Sequence, residues 1–194
     1  MERLQIRPLP PQTRITHPAA HYPRIGLDDP ATTVMTDLHH ERPVIIRPQE
    51  TLATAEKLMV NAGVRLLLVA RDGGELAGLI TYRDIIGEKA MTIATATRTP
   101  HDELGVGEVM TPANEIEALD RCAVERARVR ELITLMRERG RQHALVIETV
   151  AADGSAQVCG TFSITRIGAQ LGLKIDASGS IQSFAEIERL IAHN

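Results

Sequence analysis

The apolar positions of this chain change period in a fixed order, and that order occurs twice. Leu52, Ala55, Met59 and Ala62 fall at i, i+3, i+7 and i+10, the spacing of one helix face. Thr51 stands before them and Gly63 after them, a cap residue at each end. A continuous run follows, Val64-Arg65-Leu66-Leu67-Leu68-Val69-Ala70, which predicts a buried strand. Asp72-Gly73 marks a hairpin, because a tight turn between strands needs positive φ. A second strand, from Leu76, gives way at Thr81-Tyr82-Arg83-Asp84 to a helix running through Ile85, Ile86, Ala90 and Met91 towards Ala96. Ahead of all this, Val44-Ile45-Ile46-Arg47 makes a short strand ended by Pro48.

Downstream the pattern repeats. Val129, Leu132 and Met136 carry the helical spacing to Gly140. Gly140 to Ile147 is the strand, Glu148 to Ala156 a longer turn, and Val158 to Ser163 the returning strand. Ile167 to Leu171 is a short closing helix stopped by Gly172. The landmarks keep register: Val34-Met35-Thr36 matches Val109-Met110-Thr111 at an offset of 75, Gly63 matches Gly140 at 77, and Gly78 matches Gly160 at 82. The offset grows only in loops, as a duplicated unit requires. Thr97-Arg98-Thr99-Pro100 is the natural linker.

Gly78-Leu79-Ile80-Thr81-Tyr82-Arg83-Asp84 reads Gly, two apolar residues, Thr, two residues, Asp. Gly160-Thr161-Phe162-Ser163-Ile164-Thr165-Arg166 repeats it except at the last position. With the Val-Met-Thr segments, these motifs resemble a tandem pair of CBS domains, a Bateman module, over about residues 31 to 175. The resemblance implies an α+β fold of two repeats, each strand-helix-strand-strand-helix, packed with pseudo-twofold symmetry. It divides the chain into a Pro-rich arm (1–30), repeat 1 (31–98), repeat 2 (99–175) and a tail with a helix (176–194). It also implies a regulatory module rather than an enzyme, paired as a homodimer.

The residues suggest a chemistry of their own. An adenine nucleotide offers a flat base, a ribose diol and an anion. Val64, Leu66 and Leu68 with Ile80 supply apolar walls; Asp84 is an acceptor suited to a diol; Thr81 and the peptide N–H groups after it are donors for phosphate. Arg65, Arg83 and Thr36 complete this first cleft. The resemblance assigns ribose to Asp84 and phosphate to Thr81. Ser163, Thr165, Arg166, His143 and Thr111 make up the second cleft. Because Arg166 is donor-only, the first cleft is expected to be the tighter nucleoside site. Thr81-x-x-Asp84 is equally a helix capping box, and both readings stay open. AMP, ADP or ATP leads as ligand, ahead of S-adenosylmethionine or a cyclic dinucleotide.

Composition narrows the field. Aromatics are only 2% and apolar residues 43%, so aliphatic side chains must build the core. A net charge of −3 gives no reason to expect nucleic acid or a membrane surface as partner. Cys122 and Cys159 form no CxxC, which suits a reducing, cytoplasmic setting. Six of the ten prolines lie within residues 1–30, predicting an extended arm. Neither His17 with His21 nor His39-His40-Glu41 forms a convincing metal set, since Pro18 breaks the helix the first pair needs and adjacent side chains diverge. Ser183 with Glu186 predicts a capped terminal helix. No Walker loop, GxGxxG or nucleophile motif is present. An adaptor that binds a protein through empty clefts, and a nucleotide-acting enzyme, remain as alternatives.

Overall fold

The computed structural model describes Thr13 and residues 25–150 and 155–172. Apart from Thr13, the arm before residue 25 lies outside the described residues, as do the tip of the second hairpin (Asp153-Gly154) and the Ser183 helix.

Thr51 accepts from the Thr54 amide and starts α1 (Leu52–Ala62); Gly63, at φ 65°, ends it. Leu52, Ala55 and Met59 are buried on its inner face, while Ala62, in its last turn, is exposed. The buried run becomes β3 (Leu66–Ala70), and Gly73 and Gly74 take positive φ to return it as β4 (Leu76–Thr81). Strand β2 (Ile45–Ile46) pairs parallel to β3. One helix was expected after Asp84, but two form. Helix α2 (Tyr82–Ile86) stops at Gly87, which turns extended (ψ 173°) and caps α3 (Glu88–Thr97). A side chain at 87 would collide with the Arg83 carbonyl, and glycine inside a helix costs about 1 kcal/mol against alanine.

The second half repeats this with two helices, rather than one, ahead of its hairpin. Strand β6 (Ala118–Asp120) leads into α5 (Arg121–Arg126) and α6 (Val129–Glu138). Strand β7 (His143–Thr149) and strand β8 (Ala156–Ser163) form the hairpin, and α7 (Ile164–Gln170) closes it. Val129, Leu132, Ile133 and Met136 face the core, and the arginines and glutamates of α6 point outward, as the mixed-sign pattern predicts.

The packing units are cut differently from the sequence repeats. Helix α4 (Val106–Val109) and β5 (Thr111–Pro112) come from the second repeat, yet β5 pairs with β4 of the first. Strand β1 (Thr36–Asp37) comes from the first repeat and pairs with β8 of the second. The sheets are therefore β2-β3-β4-β5 and β1-β8-β7-β6. The backbone joins in the same crossed sense: Leu52 N donates to Leu104 O and Val106 N to Glu50 O, while Val129 N donates to Asp29 O and Ala31 N to Ala127 O. Leu104, Val106 and Val109 lie in the core of the first sheet; Leu27, Ala31 and Val34 lie in that of the second.

The two motif glycines explain how the crossing fits. A β-carbon on Gly78 would run into the Thr111 carbonyl and lie 3.0 Å from Met110 Sδ. One on Gly160 would lie 2.6 Å from Met35 Sδ. Each Val-Met-Thr segment thus lies across the bare backbone of the other repeat.

Candidate functional site

Crossing the lead-in segments places the start of one repeat beside the closing turn of the other. The larger of the two clefts lined by both repeats, about 520 Å³, lies there. Val44, Val64, Leu66 and Leu68 come from the β3 side; Leu38, Thr161, Ser163, Thr165 and Arg166 come from the β8 side, and Thr36, Glu41, Arg42, Arg65 and His143 complete the rim. Its volume falls in the ~300–1,000 Å³ range of small-molecule sites. A second cleft of about 270 Å³ lies between Leu79 and residues Ile116 to Leu119, Leu135, Met136, Arg139, Arg141, His143 and Leu145.

This regroups the residues read from the sequence. Thr36, Val64, Arg65 and Leu66 were placed with Thr81 and Asp84, but the larger cleft joins them to Ser163, Thr165, Arg166 and His143. Neither Ile80, Thr81, Arg83 nor Asp84 lines either cleft, and Ile80 is fully buried in the core. Thr111 is committed to β5. The reason is the crossing: the apolar edge of β3 faces the turn of the opposite repeat, not its own.

The two turns differ in what their side chains are doing. Thr81 Oγ1 donates to Asp84 Oδ2 at 2.7 Å and accepts from the Asp84 amide at 3.2 Å; Thr81 N donates to Asp84 Oδ2 at 2.8 Å. This is a closed capping box, and it holds the only hydroxyl proton of Thr81. At the other turn Ser163 makes no capping bond. Arg166 cannot accept, so no box forms. Its guanidinium reaches across to the first repeat instead, donating to Thr36 Oγ1 at 2.9 Å and to Glu41 at 3.0 and 3.3 Å. Glu41 is the cleft residue that sequence reading missed. The available signal was the charge at 166: a guanidinium where an acid stands in the other repeat needs a carboxylate.

His143 forms part of both clefts. It occupies the position of Leu66 in the first repeat, at the offset of 77. Burial holds its pKa down at about 4; the Asp84 carboxylate opposes this and the Arg65 guanidinium adds to it. The imidazole is therefore neutral near pH 7. Among the described residues no group of three or more His, Cys, Asp and Glu is placed to hold a metal ion, and no helix is long and apolar enough to cross a membrane.

Residues 33–90 match the CBS domain model. That match covers the first repeat. Inosine-5'-monophosphate dehydrogenase from Korarchaeum cryptofilum is 26% identical over 170 residues, covering 82% of this chain and 34% of the relative. The chain thus spans about a third of that relative's length. An uncharacterized conserved protein from Pyrococcus horikoshii superposes with a TM-score of 0.55 at 20% identity, over 79% of this chain and 99% of its own. Protein MJ1225 from Methanocaldococcus jannaschii gives 0.51 at 20% identity, over 68% and 47%. At such identities the likeness is one of fold, and the fold is the α+β pair of CBS repeats.

Proposed function

We propose that this CBS pair is a regulatory module that binds an adenine nucleotide in the larger cleft and passes the change to a partner. The observation that carries the reading is the chemistry of that cleft. It combines an aliphatic wall, a hydroxyl not engaged in capping (Ser163), and three guanidinium groups, Arg42, Arg65 and Arg166, against one carboxylate. A base, a ribose and a phosphate need those three things. AMP, ADP and ATP all suit it, because the arginines give a net positive rim for phosphate. The site draws on both repeats, so a ligand that binds one relative setting better than another shifts the module between them. The reading includes pairing with a second copy in the cytoplasm, for which exposed Ile86 and Met91 offer apolar surface.

A thermal-shift screen tests it. A rise in melting temperature with AMP, ADP or ATP, and none with inorganic phosphate at matched ionic strength, is the expected outcome. No rise at millimolar concentration with any of the three would favour a protein-binding adaptor.

A further inference from the structure

Resting on the nucleotide reading, we propose that Glu41 reads the sugar: its carboxylate, held by Arg166, accepts hydrogen bonds from the ribose 2′- and 3′-hydroxyls. The turn that faces the larger cleft has lost its own acceptor, since Arg166 stands where the first repeat has Asp84. A guanidinium has five donors and no lone pair to offer a diol. The same substitution supplies a replacement from the opposite repeat. Glu41 is the one carboxylate among the residues lining this cleft. Arg166 clamps it through Nη1 and Nη2 at 3.3 and 3.0 Å. Its backbone is fixed as well, because Glu41 N donates to Asp37 O at 2.8 Å at the end of β1, which itself pairs with β8. The carboxylate and the Ser163–Arg166 turn are thus anchored to one sheet.

A carboxylate has about four acceptor directions, and the two arginine contacts leave room for a diol. Fold stability does not account for the pair. The Arg166 and Glu41 side chains are 44% and 51% exposed, and ion pairs so exposed add little to folding. Glu41 is therefore free to be changed without loss of the fold.

The test is calorimetric titration of AMP and of 2′,3′-dideoxy-AMP into the wild-type chain and into Glu41→Gln. The wild type should prefer AMP by about ten- to a hundredfold, the usual worth of hydrogen bonds to a charged acceptor. In Glu41→Gln the affinity for AMP should fall towards that for the dideoxy compound, while dideoxy binding and the melting temperature stay near wild type. An unchanged ratio between the two ligands, or an equal loss of both, overturns the assignment of Glu41 while leaving the nucleotide site standing. Failure of the wild type to bind either compound overturns the nucleotide reading and this assignment with it.

Discussion

The turns at residues 81–84 and 163–166 share a motif up to its last position and do different work. In the first, Thr81 and Asp84 bond to each other and start α2. In the second, one residue is changed from acid to Arg, Ser163 is left without a capping partner, and Arg166 crosses to the other repeat. Local stability and ligand chemistry draw on the same few atoms. The one hydroxyl proton of Thr81 is given to Asp84 Oδ2, so it is not offered to a ligand while that bond holds. The turn that matches the family motif fully is thus the more structural one, and the turn that departs from it faces the larger cleft. Sequence alone points the other way.

The largest difference between the halves should appear with pH. His143 has Leu66 as its counterpart. With a folded pKa of about 4 against 6.5 unfolded, the imidazole is neutral in both states above pH 6.5, and its contribution to stability is then fully present. As pH falls from 6.5 towards 4, the unfolded chain takes up the proton first, and on the order of 3 kcal/mol is lost. Urea midpoints at pH 7.5 and 5 should therefore converge in His143→Leu relative to wild type. Equal slopes in the two proteins would place His143 in a wetter setting than the one described.

Next come the two crossing points. Gly78→Ala drives a methyl group into the Thr111 backbone, whereas Gly160→Ala meets only the end of the Met35 side chain. Backbone cannot step aside as a methionine can. We expect Gly78→Ala to lose about 1–3 kcal/mol and Gly160→Ala clearly less. Chemical denaturation that ranks them in reverse would show that the crossed packing is tighter at Met35 than at Thr111.

Much of this was legible in the chain. Gly63 and Gly140 end their helices at φ 65° and 59°, Gly73 and Gly74 turn the hairpin, and Gly78 and Gly160 leave room for close neighbours, all from local rules. The capping box at Thr81 was visible in Thr-x-x-Asp. What local rules could not carry is the pairing of β1 with β8: Thr36 and Thr161 are far apart in sequence, and the same apolar pattern would serve a sheet closed within its own repeat. Glu41 was missed for the same reason. It lies in a segment without period, and only Arg166, far along the chain, gives it a role.

A smaller effect separates the two hydroxyls. Thr81→Ala removes a cap and should cost about 1 kcal/mol of stability with little change in AMP affinity. Ser163→Ala removes no cap and should leave the melting temperature close to wild type while weakening AMP. Paired melts and titrations would break the comparison if both variants lost stability alike.

The division of labour between the turns is tested most directly by titrating AMP into Arg166→Ala and Asp84→Ala side by side. Arg166→Ala removes a cleft guanidinium that holds Glu41 and, in the proposed reading, meets phosphate, so affinity should fall about ten- to a hundredfold. Asp84→Ala should bind AMP nearly as wild type does, though it melts earlier. If Asp84→Ala abolishes binding and Arg166→Ala spares it, the nucleotide sits at the first turn and the larger cleft is not its site.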